Sequence, residues 1–196
     1  MFTEKFDNAP CIVVYRNALE TGSFIELIEQ EASKSWPYLE WHRSNVGAHG
    51  VVGEYRTSLE MSMSPIAFET TNERLIEIAD IYQKKIFAPL NTCIWDYRKV
   101  YDLQLSRDNG WQVLKYTHDA EYHMHHDHAP DNSRVLSVVA SLGSAEEGGD
   151  LEFPYFDLRL QLTTNDVVLF PSNFPYSHIA HPVSVGTKYS LVSWLA

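Results

Sequence analysis

The sequence has few of the features that mark secreted, disulfide-stabilised or membrane proteins. Its two cysteines, Cys11 and Cys93, lie too far apart for the short paired spacings of zinc fingers or thioredoxin-like proteins. Two unpaired thiols in a reducing cytosol are the simpler prediction, although one disulfide is also compatible with the sequence. The N-terminus has no basic stretch followed by an apolar run, and no segment approaches the ~18 apolar residues of a membrane helix. We therefore expect a cytoplasmic protein without a signal peptide or transmembrane segment.

Basic residues are also scarce. Lys and Arg total 15 against 26 Asp and Glu, which gives a formal net charge of −11. General binding to nucleic acids or anionic membranes requires a basic surface, so both classes are disfavoured. Disorder is disfavoured because the chain contains 5 Trp, 11 Tyr and 9 Phe. Its 196 residues are enough for one domain with a substantial apolar core.

The first half of the sequence favours helices. A short β-branched and aromatic run, Ile12–Tyr15, is the exception and predicts a strand. Ser23–Glu26 matches a capping box and opens a helix that we expect to end at Trp36–Pro37. Thr70–Glu73 is a second capping signature, and apolar residues follow it at spacings of three and four. Two amphipathic helices are therefore predicted in this half.

From about residue 111, short β-rich runs alternate with turn residues. The predicted strands are Trp111–Tyr116, Val135–Leu142, Leu151–Phe156, Leu158–Leu162, Val167–Phe170 and Tyr189–Leu195. Many short, closely spaced strands are typical of a sandwich, barrel or jelly roll. Because no linker separates the halves, we predict one α+β domain over residues 1–196. Its helical part would span about 1–110 and its β core about 111–196.

Histidines are concentrated in the segment from His118 to His128, which holds five of the nine. Residues i and i+2 of a strand face the same side, so His125 and Asp127 would present an imidazole and a carboxylate together. With a second imidazole they would form the two-histidine, one-carboxylate set that binds Fe(II) and leaves positions open for O2 and a co-substrate.

The third ligand is left open by spacing alone, because both His178 and His181 follow the predicted strand Val167–Phe170. His123 and His125 form a rival pair, but the adjacent carboxylate favours His125 with Asp127. A solvated histidine loop that collects zinc by chance is the alternative. The roles of the remaining histidines in the cluster stay open; these are His118, His126 and His128.

Four short motifs follow one another between residues 116 and 188. They are Tyr116 and Tyr122 with His125-x-Asp127, then Gly148–Phe153, then Phe170–Ser172, then His178–Lys188. In this order they resemble the C-terminal half of prolyl-4-hydroxylase-type Fe(II)/2-oxoglutarate dioxygenases. Tyr55–Ser58 resembles, more weakly, an Arg-Thr-Ser segment near that family's substrate groove. Asp119 departs from the pattern, since the family's first motif has a glycine at this position.

The resemblance implies a double-stranded β-helix core (jelly-roll, cupin-like) with supporting N-terminal helices. It also implies His125, Asp127 and His178 as the Fe(II) ligands, because His178 stands before the Pro-Val and Gly-x-Lys residues as the family's distal histidine does. These three would also be the catalytic centre. His181 would then lie on the opposite face of its strand.

The same resemblance implies the residues that bind the organic partners. Lys188 would pair with the distal carboxylate of 2-oxoglutarate, and Tyr116 would form a hydrogen bond with the same co-substrate. A buried ammonium on a barrel wall requires an anionic partner, which agrees with this role. The residues expected to face the substrate are Tyr122, Trp194, Arg134 and Arg56.

The implied activity is hydroxylation of an unactivated C–H bond by O2, with conversion of 2-oxoglutarate to succinate and CO2. A prolyl residue in a peptide or protein is the expected substrate, and ascorbate is a candidate reductant. One alternative is the same chemistry on a free amino acid, another small molecule or an alkylated base, the base being disfavoured by the net charge of −11. Others are a non-catalytic metal- or sugar-binding jelly-roll module and a cupin-type enzyme that uses zinc or another metal.

Overall fold

The structure, a computed structural model, describes residues 2–32, 34, 39–46, 53–63, 71–128 and 133–196. Within them the helices are α1 (Phe24–Ala32), α2 (Glu73–Ile81) and α3 (Ala88–Tyr101), with a π-helical segment, Tyr82–Phe87, joining the last two. The strands are β1 (Phe2–Phe6), β2 (Ala9–Arg16), β3 (His42–Arg43), β4 (Leu59–Ser62), β5 (Gln112–Tyr116), β6 (Tyr122–His125), β7 (Leu136–Gly143), β8 (Glu147–Gly148), β9 (Leu151–Phe153), β10 (Leu158–Leu160), β11 (Val167–Pro171), β12 (His178–Ala180), β13 (Val183–Val185) and β14 (Lys188–Leu195).

Two antiparallel sheets form the core. The larger has eight strands in the order β1-β2-β11-β7-β14-β5-β4-β3, and the smaller has four in the order β10-β9-β12-β6. A short β13–β8 pair lies beside them. One cavity is lined by residues of both sheets, among them Leu114 and Val192 of the larger and Leu151 and His178 of the smaller. This arrangement confirms the predicted jelly-roll core.

The helices cover the outer face of the larger sheet. Alternation along β2 explains how one strand serves two layers: Val13 and Tyr15 pack in the cluster that contains the helices, while Ile12 and Val14 pack toward β9 and β11. A strand buried on both faces contains a continuous apolar run, as Ile12–Tyr15 does. The sheet that carries half of the cavity is therefore held from behind by the helical layer.

The helical layer differs from the prediction in length. Asn72, within the predicted capping segment, caps α2, because its side chain accepts hydrogen bonds from the backbone N–H groups of Arg74 and Leu75. The helix then continues through the π segment and α3 to Tyr101. Thr70 lies outside the described residues, as does the predicted helix end at Trp36–Pro37.

The first half of the chain also contributes four strands, β1 to β4, to the larger sheet. Three of them, β1, β3 and β4, are short or largely exposed, and β1 and β3 form the two edges of the sheet. Alternation is weak in such strands, and sequence patterns predict them poorly. Cys11 and Cys93 are both free thiols. Of the helices among the described residues, none is both long and apolar enough to cross a lipid bilayer; the cytoplasmic location stays a prediction.

Candidate active site

Three side chains with metal-binding atoms converge where β6 meets β12. His125 ends β6, and its partner across the strand pair is His178, the first residue of β12. Asp127 lies just beyond β6, with Oδ1 3.5 Å from His125 Nε2 and Oδ2 3.8 Å from His178 Nε2. One ligand atom from each residue lies within 4.8 Å of the other two. Among the described residues, no other group of three metal-ligating side chains is this close.

The imidazoles are oriented with Nε2 toward the shared space. His125 Nδ1 lies 2.8 Å from the carbonyl of His123, and His178 Nδ1 lies 3.0 Å from the carbonyl of Tyr176. A carbonyl oxygen only accepts hydrogen bonds, so each Nδ1 carries the proton and each Nε2 presents a lone pair. Neutral imidazoles held in this way are the form that binds a divalent metal.

Protonation states in the site also suit a metal. Burial alone raises the pKa of Asp127, but His178, His125 and the Ser137 hydroxyl outweigh it, so the pKa lies well below its usual range. Burial, followed by the neighbouring His125, lowers the pKa of His178 to about 4. Near neutral pH the carboxylate is therefore ionised and the buried imidazole is neutral, as metal ligands must be.

The ligands open into a cavity that is lined by both sheets. Its walls are largely apolar, and they include Leu114, Val138, Leu151 and Val192. Lys188, the first residue of β14 in the larger sheet, also lines this cavity. An apolar chamber with a metal site and a cation suits a small anion that chelates the metal.

Lys188 is 8% exposed, and burial lowers its pKa to about 8, partly offset by Asp150. Its Nζ donates to the Gly149 carbonyl at 2.5 Å and lies 5.1 Å from the centre of the Tyr116 ring. Gly149 makes room for this lysine, because a Cβ there would lie 3.1 Å from Lys188 Cδ, and its φ of +73° is a conformation that glycine adopts readily. The two-glycine motif is therefore part of the lysine's packing.

Residues 111–196 match the model of the 2OG-Fe(II) oxygenase superfamily. The matched span contains the three candidate ligands and the buried lysine. Over this span, which is less than half of the chain, the protein is similar to the 2OG-Fe(II) oxygenase superfamily. The predicted family and the predicted oxidoreductase class are thereby confirmed, and Fe(II), 2-oxoglutarate and O2 are the partners that the superfamily implies. A comparison with curated proteins finds no match.

Solved structures of prolyl hydroxylases share the fold. The chain superimposes on a Trichoplax adhaerens prolyl hydroxylase in complex with a hypoxia inducible factor peptide fragment at a TM-score of 0.68, with 15% identity over 96% of this chain and 84% of that one. A Pseudomonas putida prolyl-4-hydroxylase gives 0.66, with 17% identity over 94% and 92%. A viral collagen prolyl hydroxylase from Paramecium Bursaria Chlorella virus-1, in its 2OG complex, gives 0.62, with 15% identity over 97% and 98%. At these identities the likeness confirms the double-stranded β-helix fold.

Tyr116 lines the oxygenase cavity beside the lysine. Burial raises the pKa of its hydroxyl, which therefore keeps its proton and can donate a hydrogen bond to a carboxylate. The hydroxyl of Ser58 is hydrogen-bonded to Tyr116, and Ser44 lies 2.9 Å from Ser58, oxygen to oxygen. Sequence reasoning assigned no role to either serine.

Three of the four predicted substrate residues also line the oxygenase cavity; they are Arg56, Tyr122 and Trp194. The ring of Tyr122 stacks on His125, with centroids 3.6 Å apart, and the guanidinium carbon of Arg56 lies 4.8 Å from the centre of the Tyr122 ring. Arg134 is absent from the cavity lining. It lies 3.9 Å from the centre of the Trp194 ring, and its Nη1 donates to the Asp127 carbonyl at 3.2 Å. Its contacts therefore join an aromatic wall to a metal ligand.

Histidines outside the triad make other contacts. His181 Nε2 lies 2.5 Å from a carboxylate oxygen of Glu152, and His123 Nε2 lies 3.2 Å from one of Glu121. His118 and His128 each contact a backbone carbonyl, and His126 is exposed. The arrangement brings His178, rather than His181 or His123, to the other two candidate ligands.

The departure from the family motif has a simple structural meaning. Asp119 has a φ of +59°, in the left-handed region that favours glycine. Aspartate is among the few other residues that adopt this conformation at low cost. The turn between β5 and β6 is therefore kept, and the substitution places no side chain among the ligands.

Two buried serines contact the ligands in a way that sequence reasoning did not predict, although one of them, Ser172, ends the Phe170–Ser172 motif. Ser137 Oγ donates to Asp127 Oδ2 at 2.6 Å, and Ser172 Oγ lies 2.8 Å from Ser137 Oγ. Both are 1% exposed. The position of Ser137 inside the apolar run Val135–Leu142 could have indicated a hydrogen-bonding role, because a buried hydroxyl requires a partner.

Proposed function

We propose that this oxygenase hydroxylates a prolyl residue in a peptide or protein and converts 2-oxoglutarate to succinate and CO2. The observation that carries the proposal is that three ligand atoms within 4.8 Å of one another share one cavity with the buried Lys188. Fe(II) bound by His125, Asp127 and His178 would supply the activation of O2. The other proposed roles fall to side chains of the chain itself.

Lys188 and Tyr116 would bind the distal carboxylate of 2-oxoglutarate. The lysine's pKa of about 8 reflects burial without a strong acidic partner, and a bound carboxylate would favour its charged form. The Tyr116 hydroxyl keeps its proton and would donate to the same group. The apolar walls would exclude water around these charges, which strengthens each interaction. The co-substrate would thus lie with one end at the lysine and its keto acid end at the ligands.

Support for a prolyl substrate comes from aromatic side chains that line the cavity together with the ligands. The Tyr122 ring stacks on His125, and the Trp194 ring lies against the Arg134 guanidinium. Proline-rich segments bind aromatic-lined grooves because their backbone is already extended and rigid. Tyr55, which contacts the Tyr122 ring edge-on at 5.8 Å, is 39% exposed and would extend this surface outward. The Trichoplax prolyl hydroxylase is in complex with a peptide fragment, which agrees with this substrate class.

The test is a succinate-release assay with Fe(II), 2-oxoglutarate and ascorbate against proline-containing peptides and free amino acids, with mass spectrometry of each product. We expect a peptide to gain one oxygen in proportion to the succinate formed. Lys188→Ala should weaken 2-oxoglutarate binding by roughly 30- to 100-fold while metal affinity changes little, because the distal carboxylate of the co-substrate loses its buried cationic partner. Lys188→Arg is the matched control that keeps the charge. Turnover of free amino acids but of no peptide would reject the peptide substrate and favour the small-molecule alternative.

A further inference from the structure

We propose that Ser137 acts as a positioning residue that holds Asp127 as a one-oxygen metal ligand, and that Ser172 orients Ser137 for this task. The inference deepens the proposed function, since it rests on the same metal site. Asp127 has two carboxylate oxygens, and they have different surroundings. Oδ2 accepts the Ser137 hydroxyl at 2.6 Å, while Oδ1 faces His125 Nε2 at 3.5 Å.

The direction of the hydrogen bonds follows from counting protons. A serine hydroxyl has one proton, and an ionised carboxylate only accepts. Ser137 therefore gives its proton to Asp127, and in the 2.8 Å contact between the two hydroxyls Ser172 is the donor. The result is a one-way chain, from Ser172 to Ser137 to Asp127. Such chains polarise each member, so the bond that reaches the carboxylate is strengthened.

Ser172 anchors the ligand's backbone as well as the chain of hydroxyls. Its carbonyl accepts the N–H groups of both Asp127 and His128, at 3.1 and 2.9 Å, and its own N–H donates to Val135 at 2.9 Å. Ser137 is fixed on the central strand β7, paired with Phe170 on one side and Trp194 on the other. The carboxylate of Asp127 is thus tied to β7, and its backbone is tied to the residue that directly follows β11.

The chemical consequence concerns the number of open metal positions. A carboxylate that binds through both oxygens occupies two positions instead of one. An oxygenase of this class needs the three positions left by a facial triad, because 2-oxoglutarate takes two and O2 one. A short hydrogen bond to Oδ2 opposes rotation of the carboxylate and favours binding through Oδ1 alone. Ser137 would therefore protect co-substrate binding as well as metal affinity.

The test uses Co(II) as the probe metal, with calorimetry for its affinity, visible absorption for its coordination, and 2-oxoglutarate titration of the Co(II)-loaded protein. We expect Ser137→Ala to lower Co(II) affinity by about 10- to 100-fold, the usual effect of removing a group that orients a ligand. Its absorption spectrum should change, and its 2-oxoglutarate affinity should fall. Ser137→Thr keeps the hydroxyl and should restore all three. Ser172→Ala should give a loss of about two- to fivefold in the same direction.

Ser193→Ala is the matched control. Ser193 is a fully buried serine on the neighbouring strand β14, and its hydroxyl donates to the Gly110 carbonyl at 2.8 Å, away from the ligands. The proposal is overturned if Ser137→Ala and Ser193→Ala have the same Co(II) affinity, spectrum and 2-oxoglutarate affinity. Failure of the unaltered protein to hydroxylate any peptide would reject the prolyl substrate and leave these binding results standing. Failure of the unaltered protein to bind Co(II) would overturn both proposals.

Discussion

Two buried aspartates, Asp127 and Asp166, show how the same side chain serves different ends in different regions of this molecule. Asp166 is 1% exposed and closes the turn before β11. Its Oδ1 accepts the backbone N–H of Asn17, and its Oδ2 accepts Arg16 Nη1 at 2.7 Å and both the N–H and the hydroxyl of Thr163. Every one of these donors belongs to the protein. Asp127, in contrast, accepts a single hydroxyl and otherwise faces two imidazoles that present lone pairs.

The difference distinguishes a buried carboxylate whose hydrogen-bond donors are all supplied by the fold, Asp166, from one that we propose binds a metal, Asp127. Both carboxyls have a pKa below the usual range. At Asp166 burial opposes this shift, and the Asn17 N–H, the Arg16 guanidinium and Thr163 overcome it. At Asp127 burial also opposes the shift, and His178, His125 and the Ser137 hydroxyl outweigh it. The Nε2 lone pairs of the two imidazoles face the carboxylate, and a bound cation would complete the site. Burying a carboxylate with few hydrogen-bond donors costs folding free energy, so such a residue is a candidate for a functional site.

The largest expected effect concerns the carboxylate of Asp127 as a metal ligand. Asp127→Asn should reduce succinate release to background and abolish measurable Co(II) binding, because a neutral amide is a poor ligand for the metal. The free energy of unfolding of the metal-free protein should fall by less than in Asp166→Asn, since one hydrogen bond to the carboxylate, from Ser137, is altered instead of four. Denaturant unfolding together with calorimetry checks both. Retained turnover would contradict the site assignment.

The same chemical change at Asp166 should have the opposite outcome. In Asp166→Asn, one orientation of the amide would point its NH2 group at the donors of Arg16 and Thr163. The other would offer them a carbonyl oxygen, which is a weaker acceptor than a carboxylate oxygen. We expect a loss of about 2–3 kcal/mol in the free energy of unfolding and a fall in Tm of roughly 5–10 °C. The folded variant should bind Co(II) as the parent does. If Asp166→Asn lowered the Co(II) affinity as far as Asp127→Asn does, the assignment of different roles to the two aspartates would be wrong.

The smallest effect concerns pH. The folded-state pKa of Asp166 is lowered, so its contribution to stability is present above the unfolded pKa of about 3.9 and is lost as pH falls through it toward the folded value. The stability difference between the parent and Asp166→Asn should therefore narrow as pH falls from about 6 to about 3. Urea unfolding of both proteins across this range measures it. A difference that is constant with pH would show that the carboxylate's charge is irrelevant to the turn.

Much of the candidate site could be predicted from local pattern. His125 and Asp127 are two residues apart, and the two-glycine, Phe-Pro-Ser and Gly-x-Lys segments occur in an order that resembles the family. The turn Thr163–Asp166 was also recognisable from its residue types. Its dependence on Arg16 was not, because the two residues are far apart in sequence and meet only when β2 pairs with β11.

Arg134 illustrates the limit of a resemblance. Its position in the sequence led us to expect contact with the substrate, which stays a prediction, but no resemblance indicated that its guanidinium would lie against the Trp194 ring and donate to the Asp127 carbonyl. Ser137 illustrates the limit of pattern. A buried serine in an apolar strand requires a partner, but which partner it has depends on the loop that follows β6.

By itself the sequence determined the kinds of ligand, their order and the alternation that builds two sheets, because these depend on residue type and on periods of two or three to four residues. The tertiary structure decided which histidine joins the site. β12 pairs with β6 so that His178 lies opposite His125, and His181, an odd number of residues later, contacts Glu152 instead. Strand register selects one face of a sheet, and register is set by long-range packing rather than by local spacing. The same packing buries Lys188 and joins Ser137 to Asp127, two facts that no local pattern contains.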